Sequence, residues 1–85
     1  MPEPKKKFRP DIIKLRREKR NGRDVIVIEG FPADVLIEEM AKRLKSTCAT
    51  GGTVKGRAIE IQGDHRDKIA EVLLERGFRS KRAGG

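Results

Sequence analysis

The sequence predicts a small α+β fold with the element order β-β-α-β-β-α-β. Three observations carry that expectation. Asn21-Gly22 separates two stretches that read as strands, and this dipeptide best accepts the two positive φ angles of a type I′ hairpin turn. After Gly30 the apolar period changes from two to 3.6 residues, the signature of a switch from strand to amphipathic helix. The stretch TGGTVKGRAIEIQGDHR, residues 50–66, then places four glycines around a short apolar run, which reads as a second hairpin followed by a helix start.

Residues 1–10 hold three prolines and the run Lys5-Lys6-Lys7, so they are expected to form a disordered basic arm. The folded unit is expected over 11–82, with 83–85 a flexible tail. The first hairpin spans Ile12 to Ile28. A two-residue turn fixes its register, with Leu15 opposite Ile28 and Arg17 opposite Ile26, so its apolar base faces the core. Its basic tip, Arg16, Arg17, Lys19, Arg20 and Arg23, projects beyond.

The first helix is expected at about 33–46. Pro32 to Asp34 supply its start signal, and Leu36, Ile37, Met40, Ala41 and Leu44 form its apolar face. Glu38 with Lys42 and Glu39 with Arg43 are spaced for i,i+4 ion pairs. Thr50-Gly51-Gly52 ends it. A type II′ loop at Gly56-Arg57 pairs Lys55 with Ala58 and Val54 with Ile59, which puts Val54, Ile59 and Ile61 on one face. Asp64 reads as the N-cap of a second helix at about 65–76. Gly77 suits its left-handed C′ position, with Phe78 packing back on Leu73. A last short strand runs from Phe78 to about Lys81.

Composition limits the function. At 85 residues the chain is a single domain that buries only about 60% of its unfolded surface, too thin a core for a deep cleft. Hydrophobic residues make up 35% and charged residues 40%, and the apolar ones arrive in periodic blocks, as in a folded domain. No apolar run approaches the roughly 18 residues of a membrane span, and MPEPKKKFRP lacks the apolar centre of a signal peptide, so a cytoplasmic protein with no membrane partner is expected. Cys48 is the single cysteine, which excludes an internal disulfide and leaves too few ligands for a structural zinc.

Twenty-one Lys and Arg stand against 13 Asp and Glu, a net charge of +8. The excess is focused at residues 1–10, at Arg79, Lys81 and Arg82, and at the segment Lys14 to Arg23, where six basic residues face one acid. Such focusing points to a polyanionic partner touched at particular places.

Catalytic motifs are missing. GGTVKG lacks the G-x-x-x-x-G-K-[ST] phosphate loop, and it lacks the spacing of a GXXG clamp. His65 follows a cap position and reads as a surface residue. Cys48 and His65 have no third orienting group. No enzyme, cofactor or metal site is expected. Base stacking in the manner of RNA-recognition-motif sheets is disfavoured as well, because Phe8, Phe31 and Phe78 are the only aromatics and none lies on a central strand.

The combination Arg20-Asn21-Gly22-Arg23, Thr50-Gly51-Gly52-Thr53-Val54-Lys55 and Ile61-Gln62-Gly63-Asp64-His65-Arg66 resembles the eukaryotic-type translation initiation factor 1 (Sui-type) family, over residues 12–80. The short second loop and the Ala83-Gly84-Gly85 end are most similar to its bacterial YciH-like members. The resemblance implies a two-layer α/β sandwich, a mixed sheet of about five strands with two helices on one face. It implies binding to the small ribosomal subunit and its rRNA near the P site, with initiator tRNA and other initiation factors as further partners. The family's basic first loop falls on Lys19, Arg20, Asn21, Gly22 and Arg23, and its RNA-facing helix surface on Lys42, Arg43 and Lys45. Arg16 and Arg17 extend the first group, and Lys55, Arg57 and Arg66 are further candidates for touching phosphate. The Gly56-Arg57 loop is too short to approach initiator tRNA as the longer loops of other members do. A monomer is expected. The alternative reading is a general or stress-linked RNA-binding protein or RNA chaperone.

Overall fold

The structure is a computed structural model that describes residues 8–83. Strand β1 (Ile12–Arg20) turns through Asn21 (φ 53°) and Gly22 (φ 76°) into β2 (Arg23–Glu29). Both φ angles are positive, as a type I′ turn requires. The antiparallel register sets Leu15 opposite Ile28, Arg17 opposite Ile26 and Arg20 opposite Arg23, as the turn demands. Strands β3 (Gly52–Lys55) and β4 (Ala58–Gln62) form the second hairpin, with Val54 opposite Ile59 and Lys55 opposite Ala58.

Helix α1 (Ile37–Cys48) lies between the two hairpins, and helix α2 (Arg66–Glu75) precedes β5 (Arg79–Ala83). The sheet order is β3-β4-β2-β1-β5. Strand β5 runs parallel to β1, and the other pairs are antiparallel. The fold is therefore the expected α+β arrangement, a mixed sheet of five strands with two helices.

The alternation of each strand sends Ile13, Leu15, Ile26, Ile28, Ile59 and Ile61 to one face. There they share a single apolar cluster with Ile37, Met40, Ala41 and Leu44 of α1 and Ile69, Val72 and Leu73 of α2. Most of these side chains are completely buried, each contributing roughly 1.5–3 kcal/mol of transfer free energy. Phe31 and Phe78 close one end in an edge-to-face contact, ring centroids 5.9 Å apart. Among the described residues the other face carries no helix. Its Val25 and Val27 are nevertheless buried while standing outside the helix-side cluster. In register they lie between Gln62 and Glu18, and between Glu60 and Arg16.

Several local expectations are corrected. Helix α1 begins at Ile37, because Pro32–Val35 closes a turn instead (Val35 N–H to the Pro32 carbonyl, 3.1 Å). Leu36, expected on the apolar face, is the N-cap residue and 67% exposed. The helix ends at Ala49 in the left-handed conformation (φ 52°), ahead of the glycines, and its face continues to buried Cys48. The Glu38–Lys42 and Glu39–Arg43 ion pairs do not form among the described residues; Arg43 reaches across to Glu75 of α2 at 3.1 Å.

Asp64 stands one residue ahead of the N-cap position, which His65 occupies without a side-chain capping bond. Helix α2 closes as expected, with the Phe78 N–H bonded to the Leu73 carbonyl at 2.8 Å and the Gly77 N–H to that of Leu74 at 3.0 Å, the double bond of a Schellman end. Strand β5 runs to Ala83 instead of stopping near Lys81. Of the expected arm and tail, residues 1–7 and 84–85 lie outside the described residues. Arg9 docks on the fold: its N–H donates to the Gly77 carbonyl, its guanidinium pairs with Asp34 at 2.8 Å, and it lies over the Phe78 ring.

Candidate nucleic-acid interface

The sheet gives the molecule two ends. At one end lie the β1–β2 turn, the C-terminus of α1, the start of β3, the end of β4 and the start of α2. Two bonds fix this clustering: the Gly63 N–H donates to the Asp24 carbonyl at 2.7 Å, and the Gln62 N–H donates to the Gly51 carbonyl at 3.1 Å. Lys19, Arg20, Asn21, Gly22, Arg23, Lys45 and Arg66 are brought to this end. At the opposite end lies the Gly56-Arg57 loop with Lys55. The structure therefore divides the sequence-predicted basic residues into two groups.

Arg57 has a structural task. Its guanidinium donates to the carbonyls of Pro32 (2.6 Å) and Val35 (2.8 Å), tying the second hairpin to the turn that launches α1. Lys55 stays exposed, 4.0 Å from Glu60.

At the hairpin end the arginines differ in state. Arg20 donates to Glu60 with two bonds, 2.7 and 3.0 Å, and to Glu18 with two more, 2.7 and 3.2 Å. Its guanidinium is held more firmly protonated by the Glu60 hydrogen bonds, and in return Arg20 holds the Glu60 carboxyl below its usual range. Arg16 lies 3.2 Å from Glu18 and 3.6 Å from Glu29. Arg17 lies 3.8 Å from both Asp24 and Asp64. Arg66 grips Asp64 with bonds of 2.8 and 2.9 Å, and the Asp64 carboxyl is lowered chiefly by that contact. Arg16, Arg17 and Arg20 of the hairpin thus already face acids, as does Arg66. Strand pairing sets carboxylates of β1, β2 and β4 beside Arg16, Arg17 and Arg20, and an exposed arginine next to a fixed acid forms a charge-assisted fork.

The side chains of Lys19 and Arg23 make no hydrogen bond or ion pair to another described residue, and both are exposed. Lys42 and Lys45 on α1 are likewise without a charge partner among the described residues. The Lys45 stem lies against Gly52, where an added Cβ would stand 3.3 Å from it. The free cations of this end are therefore Lys19 and Arg23 on the rigid turn, with Lys45 near the C-terminus of α1; Lys42 lies at the middle of that helix.

Between the turn and the segment following α1 lies an open cleft of about 540 Å³, lined by Arg20, Arg23, Val25, Thr50, Gln62 and His65 among others. Sequence reasoning did not select Gln62, Thr50 or Val25. The alternation of β4 and β2 places Gln62 and Val25 side by side on the helix-free face, and only the strand order exposes that pairing.

Among the described residues, no group of three or more His, Cys, Asp or Glu side chains is placed to hold a metal ion, and no helix is long and apolar enough to cross a membrane. Burial raises the Cys48 thiol above its usual range, which disfavours the reactive thiolate.

A mixed sheet covered on one face by two helices, open on the other, and cationic at one hairpin turn defines a small basic α+β domain. Sequence comparison sharpens that class. The family profile described as "Translation initiation factor SUI1" matches residues 9–79, and the chain belongs to this family. It is 50% identical over 70 residues to a protein translation factor SUI1 homolog of Ignicoccus hospitalis, covering 80% of this chain and 67% of the relative. It is 52% identical over 62 residues to the homolog of Methanocaldococcus jannaschii, covering 72% and 60%, and 51% identical over 69 residues to that of Hyperthermus butylicus, covering 79% and 67%. The chain thus spans about two thirds or slightly less of the length of these relatives. The family is not one of enzymes.

Proposed function

We propose that this chain acts in the cytoplasm as a translation initiation factor on the small ribosomal subunit, contacting rRNA near the P site and influencing start-codon and initiator-tRNA fidelity. The observation that carries the proposal is the pair of free cations, Lys19 and Arg23, on a turn whose conformation is fixed by Asn21 and Gly22. A preordered cationic prong meets a phosphate groove with little loss of conformational freedom. Lys45 stands at the same end, and Lys42 extends the contact along α1. Arg16, Arg17, Arg20 and Arg66 serve this surface mainly by ordering it, since acids already occupy their guanidinium groups, while Arg43 ties α1 to the end of α2. The likeness to the short YciH-like members belongs to the same proposal, as does a monomeric state.

The test is co-sedimentation of the purified chain with isolated small subunits, large subunits and whole ribosomes, paired with initiation at cognate and near-cognate start codons. Selective binding to small subunits together with altered discrimination between the codons is expected. Equal binding to all RNAs, with no effect on codon choice, would favour a general RNA chaperone.

A further inference from the structure

The Arg20 side chain presents an unusual surface. Its Nε, Nη1 and Nη2 atoms all donate to Glu18 or Glu60, so four of the five N–H groups of the guanidinium are occupied and its plane is held by two carboxylates on two strands. It is nonetheless exposed and lines the open cleft at the hairpin end. A guanidinium with a single N–H left over makes a poor phosphate ligand, whereas a guanidinium plane can stack on an unpaired base.

The rest of the cleft fits the same kind of ligand. Val25 gives an apolar floor, with 9% of its surface exposed. Beside it stands the exposed Gln62 side chain, whose carboxamide makes no hydrogen bond to another described residue and so offers a donor and an acceptor to a base edge. Thr50 adds a hydroxyl, and unpaired Arg23 stands at the rim for a phosphate. Asp24 also lines the cleft; its Oδ1 is buried without a hydrogen bond, 3.8 Å from Arg17 Nε. The volume of about 540 Å³ is within the range of small-molecule sites.

We propose that this cleft receives one unstacked nucleobase of a structured RNA, stacked on the Arg20 plane, read along its edge by Gln62 and held by its phosphate at Arg23. The inference rests on RNA being the partner, as proposed above, and adds that this protein favours RNA with an extruded nucleotide. It supplies a route to base contact for a chain whose central strands carry no aromatic residue.

The test measures fluorescence anisotropy with two RNA hairpins at one salt concentration, identical except that one carries a single unpaired adenosine. The wild type is expected to bind the bulged hairpin on the order of tenfold more tightly, the size of one stacked base. Gln62→Ala and Arg20→Lys should each reduce that preference to less than about twofold. Gln62→Ala, which alters only an exposed side chain, should leave affinity for the fully paired hairpin and its salt slope unchanged, whereas Arg23→Ala should weaken both RNAs.

Equal wild-type affinities for the two hairpins, or a preference that survives Gln62→Ala, would overturn the proposal. A polyglutamate peptide that competes with the bulged hairpin for the wild type and binds it more tightly than either RNA would overturn it in favour of an acidic protein partner. Failure to bind either RNA or the small subunit would overturn the initiation-factor reading as well. Subunit binding without a bulge preference would overturn this inference alone.

Discussion

Arg20 and Glu60, 40 residues apart in sequence, are joined by two hydrogen bonds of 2.7 and 3.0 Å across the helix-free face of the sheet. The contact ties the tip of the first hairpin to β4, the inner strand of the second, on the face where Val25 and Val27 are buried. Glu60 is the more enclosed partner, its side chain 12% exposed against 41% for Arg20, so removing the arginine leaves a largely enclosed carboxylate without its main partner. Arg20→Ala is therefore expected to lower stability measurably, unlike an ordinary surface arginine. Thermal melts of Arg20→Ala, Glu60→Ala and the double variant would show the coupling: the double variant should lose less than the sum of the two.

The same pair makes a pH prediction. Arg20 depresses the Glu60 carboxyl below its ordinary 4.5, and Arg66 depresses Asp64 below 3.8. Each contribution to stability is fully present above the ordinary value and is lost as the pH falls through the lowered folded value. Glu60→Gln should therefore be less stable than the wild type near neutrality, and the gap should close as the pH falls below the ordinary carboxyl value of 4.5. Urea unfolding from neutrality down through that value checks this; a gap that widens in acid contradicts the assigned sign.

Gly52 is required by space. A Cβ there would lie 2.4 Å from the Glu60 carbonyl oxygen and 3.0 Å from Ile61 Cδ1. Gly52→Ala must push β3 from β4 and is expected to cost about 1–3 kcal/mol as overpacking. Gly51→Ala, whose added Cβ would meet only Gln62 side-chain atoms at 3.8–3.9 Å, should be much milder. Denaturant midpoints of the two variants separate them.

Arg57→Ala tests the division of the basic residues into two ends. It removes the donor to the Pro32 and Val35 carbonyls, for an expected loss of about 1 kcal/mol. Binding to the small subunit should be retained while the variant is folded. A binding defect as large as that of the hairpin-tip variants would return Arg57 to the interface.

Lys19→Ala with Arg23→Ala should do the reverse. Both side chains are exposed and lack charge partners among the described residues, so the melting temperature should hardly move. The slope of log affinity for the small subunit against log salt should fall by about 0.7–0.9 for each phosphate that the variant no longer neutralises. An unchanged slope would shift the interface to Lys42 and Lys45.

The local rules of the chain were readable from its sequence. Asn21-Gly22 admits few turns other than type I′, and that turn set the whole β1–β2 register. The same held at Gly56-Arg57, and at Gly77-Phe78 where α2 ends. Such features depend on backbone geometry over a few residues, where a missing Cβ or a fixed spacing decides the outcome. The start of α1 was not legible in that way. Its first expected residues instead form a turn whose carbonyls are taken by Arg57, 22 and 25 residues further along.

The state of each cation was a tertiary matter too. Charge counting located the basic hairpin, but it could not separate Arg20, held by Glu60 of a strand two positions removed in the sheet order, from Arg23, which has no partner among the described residues. Sequence alone determined where positive charge is concentrated and how each hairpin pairs, because both follow from local composition and turn geometry. Only the assembled sheet decided which charges are already neutralised and that Gln62 stands beside Val25 in an open cleft, because ion pairing and side-by-side placement depend on strand order.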